Sequence, residues 1–233
     1  DRNQEQIAAQ LGVSRFKSTR LLARAREQGI ITFVIDPRSS ETLALAERLA
    51  DAYGLTECIV TPVLDAGAAD ADDVARNAVG AAAASFLVRR LQALDPVTVG
   101  LGWGRTIAAM VQAFPATPKT GARFVSLMGS LSRTARSNPF DVVHTLAQAC
   151  NGEAYLLPAP FIADTEADFD VLMSQTIVRE ALAIGAAADF SIASFGSCSP
   201  DSLAAQYGLL SEAEITELIA SGAVGDMLGK FFD

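Results

Sequence analysis

Residues 97–110 read V-T-V-G-L-G-W-G-R-T-I-A-A-M, and the fold turns on how this stretch is parsed. Residues that favour a buried, extended strand run into three alternating glycines, Gly100, Gly102 and Gly104. An apolar pattern of helical period begins after Arg105 and Thr106. The stretch therefore predicts a strand, a tight loop and a helix start. Glycines let the loop backbone take positive φ and approach a ligand closely, and free N–H groups at a helix N-terminus favour an anion. Such turns also serve close helix-on-strand packing, and the order is neither G-x-G-x-x-G nor a P-loop. Spacing alone leaves both readings open.

Outward from this stretch the pattern alternates. Leu43, Leu45, Ala46, Leu49 and Ala50 predict a helix that leads through Gly54 to a strand over 57–63. Asp72 or Asp73 opens an alanine-rich helix reaching residue 94, with Val79, Ala83, Phe86, Leu87 and Leu91 on one side. Downstream the expected elements are a helix over 106–114, a strand over 123–128 and a helix over 140–149. A strand over 153–157, one long helix over 168–187 and a last strand over 190–194 follow. Strands alternating with helices imply an α/β fold, a doubly wound, mostly parallel sheet with helices on both faces. Ligands in such sheets bind at the carboxyl ends of the strands. Three strand ends qualify: residues 102–106, 129–138 and 196–199. In the middle one, G-S-L-S-R-T-A-R-S-N-P, Arg133 and Arg136 offer cationic forks and Asn138 can recognise hydroxyls. A polyhydroxylated anion would be satisfied there; solvated loop arginines are the competing account of the same residues.

The chain of 233 residues is 50% hydrophobic, enough apolar material for one large or two modest domains. Its net charge is -9, but the balance is uneven. Residues 1–35 carry six basic and three acidic side chains, so the head is +3 and the rest -12. The three cysteines, Cys58, Cys150 and Cys198, lack metal-ligand or disulfide-framework spacing, which fits a reducing cytosol. No uncharged run exceeds residues 106–118 and no signal peptide is evident. The expectation is a soluble, cytoplasmic protein without a membrane span, metal or cofactor.

In the basic head, Ile7, Ala8 and Leu11 form an apolar stripe, Gly12 closes that helix, and Ser14 caps the next one. Val13, Leu21, Leu22 and Ala25 give the second helix its inner face. Ser14, Arg15, Lys17, Thr19, Arg20 and Arg24 form the set expected to face DNA: an N-terminal end that reaches base edges and flanking cations that hold phosphates. The segment I-A-x-x-L-G-V-S-R resembles a bacterial helix-turn-helix, with Ser18 where such motifs usually place a branched apolar residue. An ordinary αα-hairpin with a solvated basic face is the competing account. Gly29 ends the second helix, and I-I-T-F-V-I-D reads as a strand of the winged type. The expected boundaries are a helix-turn-helix domain over 1–35, a linker over 36–41 with Ser40 capping the next helix, and an effector-sensing domain over 42–233.

The head, then V-G-L-G-W-G-R-T, G-S-L-S-R, Y-L-L-P-A-P and S-G-A-V-G-D-M-L-G-K-F-F-D in this order, resemble the SorC family of bacterial transcriptional regulators along essentially the whole chain. The resemblance implies a sugar-binding domain similar to the glucosamine-6-phosphate deaminase and ribose-5-phosphate isomerase folds, used for sensing. It also implies operator DNA as partner, a dimeric or tetrameric homo-oligomer, and a phosphorylated sugar or polyol as effector. Carried over, Gly102, Trp103, Gly104, Arg105 and Thr106 would cradle the effector phosphate. Gly129, Ser130, Arg133, Asn138 and Gly196 would line the pocket, and Asp226 would accept hydrogen bonds from hydroxyls, unless it serves as a helix cap. Family members continue beyond the end seen here with a glycine-lysine element and closing strands, so the domain is expected to lack its C-terminal end. The alternative is a sugar-phosphate isomerase or deaminase of the same fold. Against it, the chemistry needs a positioned acid and base, and His144, the only histidine, lies beside Val142, Val143 and Leu146, where a partly buried structural role is expected. A dinucleotide enzyme lacks the G-x-G-x-x-G order.

Overall fold

The computed structural model describes residues 12–14, 16–17, 20–21, 24, 40–62, 71–130 and 141–233. The chain divides into two compact units, Asp1–Pro37 and Arg38–Asp233.

In the first unit Gly12 takes a left-handed φ of 63°. Phe16, Lys17, Arg20, Leu21 and Arg24 are helical, and the Lys17 amide donates to Ser14 Oγ at 3.3 Å. That contact has the geometry of an N-cap. Lys17, Arg20 and Arg24 are exposed on one face. Leu21, expected inside, is 48% exposed, because its position four after Lys17 and three before Arg24 places it on the cationic face. Arg15, Thr19 and the stretches read as first helix and wing lie outside the described residues.

The second unit opens with α1, Ser40–Tyr53, whose first two residues lie inside the stretch read as linker. After it come α2 (Ala71–Ala93), β1 (Val97–Leu101), α3 (Arg105–Ala113), β2 (Ala122–Ser126), α4 (Val142–Cys150) and β3 (Glu153–Tyr155). Next are α5 (Glu166–Ser174), α6 (Thr176–Ala186), β4 (Phe190–Ile192) and β5 (Phe195–Ser197). The chain closes with α7 (Leu203–Gln206), α8 (Glu212–Ala220), β6 (Gly225–Met227) and β7 (Lys230–Phe232). Strands β1 to β4 form a parallel sheet in the order β3-β2-β1-β4. All five residues of β1 are buried, as a strand covered on both faces requires. Val97, Val99, Leu101 and Phe124 pack under α2, α3 and α4 through Leu87, Leu91, Met110, Leu146 and Cys150. On the opposite face α6 buries Val178 and Ala181, and Gly185 approaches Val125 and Leu127. The sheet is thus covered by helices on both sides.

Four expectations change. The segment after Gly54 makes no sheet ladder over its described part, 57–62. Leu55, Glu57, Ile59 and Thr61 instead line a groove with Val79, Ala83, Phe86 and Phe190 that separates them from the β4 edge. The inner face of α2 is Gly80, Ala84, Leu87 and Leu91, one residue round from the expected one, and Val79 is 43% exposed. The helix over 168–187 is two helices, broken where Gln175 takes an extended φ of -70° and ψ of 133°. Finally, the chain after Ile192 leaves the parallel sheet and builds a separate antiparallel sheet, β5-β6-β7. Period-two patterns of three residues are too short to register in the sequence.

Candidate functional site

The strand order puts the chain reversal at β1: β2 and β3 are laid down on one side of it and β4 on the other. The loops leaving β1 and β4 therefore part company at their carboxyl ends and leave a crevice. A cavity of about 490 Å³ occupies that place. It is lined by Trp103 to Thr106 after β1, by Ser194 to Ser197 after β4, by Asp226, Leu228 and Gly229 of the β6–β7 hairpin, and by Arg76 of α2.

Local chemistry explains the β1 side. The Gly102 amide donates to the Ile192 carbonyl at 2.8 Å, holding the two strand ends together, and a Cβ at Gly102 would stand 2.9 Å from Leu228 Cδ2. Gly104 has φ 152°, and a Cβ there would meet Ser194 Oγ at 2.6 Å. Only glycine fits both demands. Gly104 is also the N-cap of α3 and brings no side-chain cap, so the first-turn amides of α3 keep their donor capacity at the cavity. Ser194 Oγ donates to the Trp103 carbonyl at 3.3 Å, which ties the β4 loop to the same turn.

The Trp103 ring meets Phe161 edge to face, with centroids 5.3 Å apart. Its Nε1 is buried and has no hydrogen-bond partner among the described residues. A buried N–H without an acceptor is costly, and this one belongs to a residue of the cavity wall.

The opposite wall comes from the small antiparallel sheet. Gly196 in β5 faces Asp226 in β6, and a Cβ at Gly196 would run into the Asp226 carboxylate. Asp226 accepts from the Gly229 amide at 3.3 Å. It sits in a strand pair next to a two-residue turn, Leu228-Gly229, and does not cap a helix. Both turn residues have positive φ, 53° and 79°, the geometry of a tight hairpin turn that suits asparagine-glycine better than leucine-glycine.

The structure thus brings together Trp103, Gly104, Arg105, Thr106, Gly196 and Asp226, with Gly102 directly behind them. Gly129 and Ser130 do not line the cavity. Ser130 bridges Pro160, accepting from the Phe161 amide at 2.9 Å and donating its own amide to Ala159 at 2.8 Å, while Met128 reaches the wall. Gly129 is needed there for backbone approach, since a Cβ would come within 2.6 Å of the Pro160 carbonyl oxygen. The pair clamps the loop that delivers Phe161. Arg133, Arg136 and Asn138 lie outside the described residues. His144 is exposed, with its Nε2 2.9 Å from Gln148 Nε2, because the buried face of α4 is Val142, Val143, Leu146 and Ala147. Arg76 escaped the sequence reading: an arginine near the start of an alanine-rich helix, far from the strand-end loops, carries no pattern that would mark it. Among the described residues no group of three His, Cys, Asp or Glu side chains could hold a metal ion.

The family described as "Putative sugar-binding domain" matches residues 38–233. The erythritol catabolism regulatory protein EryD of Brucella abortus is 36% identical, over 99% of this chain and 71% of that protein. The sorbitol operon regulator of Klebsiella pneumoniae is 26% identical, over 100% and 73%. The crystal structure of that bacterium's full-length SorC superposes with a TM-score of 0.73 at 27% identity, covering 100% of this chain and 75% of SorC. A DeoR family regulator from Listeria monocytogenes gives 0.72 at 26% identity, over 82% and 73%. Parallel sheet, cavity and relatives together define a sugar-responsive transcriptional regulator. The chain belongs to the SorC family of bacterial transcriptional regulators.

Proposed function

We propose that the protein is a regulator of carbohydrate or polyol metabolism whose operator binding is set by a phosphorylated sugar or polyol held in the β1–β4 cavity. One observation carries this reading: the uncapped N-terminus of α3 opens on the same cavity as a carboxylate, Asp226. The first favours an anion and the second accepts from hydroxyls, so the cavity suits a small molecule with a phosphate at one end and a polyol at the other. Thr106 and Arg105 belong to the anionic end, and Gly196 leaves room beside Asp226 for a hydroxyl. Relatives named for erythritol catabolism and the sorbitol operon support a polyol as the chemical class. A sheet-and-crevice plan of this kind is also what a fold related to glucosamine-6-phosphate deaminase or ribose-5-phosphate isomerase would offer.

The domain is read as a sensor: a proton-transfer reaction on a sugar needs a positioned acid and base, and among the described residues lining the cavity Asp226 is the one carboxylate, while His144 lies on the outer face of α4. In the head, Ser14, Arg15, Lys17, Thr19, Arg20 and Arg24 would contact operator DNA, in a helix-turn-helix of the winged type over residues 1–35. Two such heads in a homodimer or tetramer would span two half-sites. The effector would act by linkage, binding one quaternary arrangement better than the other and so shifting the population able to bind DNA. In the cell such a protein works in the cytoplasm, where its DNA lies.

The test is a thermal-unfolding screen of sugars, polyols and their phosphates, with and without operator DNA. A native-state ligand present at 100 times its dissociation constant stabilises by about 2.7 kcal/mol, and the expected hits are phosphate esters. Turnover of a hit by the purified protein would defeat the sensor reading.

A further inference from the structure

We propose that Arg76 is the cation that seats the effector's anionic group, and that Asp73 competes with that group for it. The inference rests on the reading of the cavity as an effector site and adds a residue and a form of regulation to it.

Helices α2 and α3 are packed so closely that a Cβ at Gly80 would stand 2.7 Å from Ala109 Cβ and from its carbonyl carbon. Arg76 lies one helical turn before Gly80, and Arg105 one turn before Ala109. Both line the cavity. The glycine contact therefore delivers a second cation to the place where the α3 amides open.

The two arginines differ. Arg105 is exposed, whereas the Arg76 side chain is only 19% exposed. A guanidinium carries five N–H donors and stays charged at any relevant pH. Arg76 Nη1 is engaged by Asp73 Oδ1 on the preceding turn of α2, and Asp73 is 74% exposed. That pairing uses one edge of the fork, and it is the only acceptor Arg76 has among the described residues. The planar guanidinium can present two parallel N–H groups to an oxyanion, a fit that phosphate and carboxylate share. Asp226, which lines the same cavity, repels an anion, so a ligand bearing a single anionic group is oriented with that group toward Arg76 and the α3 amides.

Asp73 has a second consequence. An exposed carboxylate bonded to the same guanidinium either gives way when the anion arrives or remains and repels it. In both cases its negative charge weakens effector binding, which sets the concentration at which the sensor responds.

The experiment is calorimetric titration of the whole chain with glycerol 3-phosphate, with inorganic phosphate, and with glycerol as the uncharged control. The proteins are wild type, Arg76→Gln, Arg76→Lys, Asp73→Asn and Thr106→Val. Arg76→Gln should weaken glycerol 3-phosphate binding about 10- to 100-fold. Arg76→Lys should recover part of the loss, because charge survives but the fork does not. Asp73→Asn, at a 74% exposed position, should tighten binding about two- to fivefold. Unchanged affinity in Arg76→Gln, or unchanged or weaker affinity in Asp73→Asn, overturns the proposal. If Thr106→Val alone loses affinity, the cavity stands as the effector site and the role of Arg76 falls. If the wild type binds neither phosphate compound at millimolar concentration, the anionic-effector reading falls and this inference with it.

Discussion

Gly104 concentrates the constraints of the site in one residue. Its φ of 152° is closed to side chains, and a Cβ would collide with the Ser194 hydroxyl that ties the β4 loop to Trp103. Gly104→Ala should therefore cost about 1–3 kcal/mol in urea unfolding and re-aim the first turn of α3, with weaker phosphate binding by calorimetry. Cys150 makes a different residue-scale prediction. It is fully buried in the core under α4, and burial pushes its thiol up to about 11 from 9.0. The folded state thus holds its proton more tightly than the unfolded chain. Stability from this group is intact below pH 9.0 and is lost as pH rises toward about 11. Denaturant unfolding of wild type should show that decline, and Cys150→Ala should flatten it while lowering stability at neutral pH. A wild-type curve level between those two values would contradict the assignment.

At the scale of elements, the contact of α2 with α3 sets the geometry of the cavity. Gly80→Ala would ordinarily help an isolated helix by roughly 1 kcal/mol. Here the added methyl lands on Ala109 backbone and side chain, which overpacks the interface. We expect a net loss of about 1–3 kcal/mol in thermal or urea unfolding, together with weaker phosphate binding as Arg76 is displaced. A more stable Gly80→Ala variant would mean the helices can separate without cost. The short β5–β7 sheet contributes through its middles: Gly196 and Asp226, the central residues of β5 and β6, both line the cavity.

For the whole molecule the electrostatic division is the governing fact. The net charge is -9, yet residues 1–35 carry six cations. Operator binding through such a head should fall steeply with salt, by roughly 0.9 log units per tenfold salt increase for each phosphate contact. Arg20→Ala and Arg24→Ala should each weaken operator binding and reduce that slope, while glycerol 3-phosphate affinity stays within about twofold of wild type. Mobility-shift titrations at two salt concentrations check the first, calorimetry the second. Equal operator affinity in both variants would show that this face does not carry DNA.

How far the sequence reached differs between fold and site. The run 97–110 was legible as strand, loop and helix because β-branched residues, alternating glycines and a 3.6-residue apolar period are local signals. The regulator family was legible in the motif order, and the basic head in its charge. The ladder missing after Gly54, the break at Gln175 and the rotation of the α2 face were not, since each depends on what a neighbour occupies. Nor was the division of the strand-end residues. G-W-G-R-T and G-S read alike as polar loops, but Gly104 to Thr106 border the cavity while Gly129 and Ser130 clamp Pro160 behind it. Arg76 reaches the cavity from α2, which Gly80 lets pack closely on α3. By itself the sequence determined the alternation of strands and helices from β1 to β4, the α/β class and the family, because those follow from patterns within one segment or along one chain. Only the tertiary structure decided which side chains share a cavity, because that depends on the crossing of β4 to the far side of β1 and on the contacts that crossing permits.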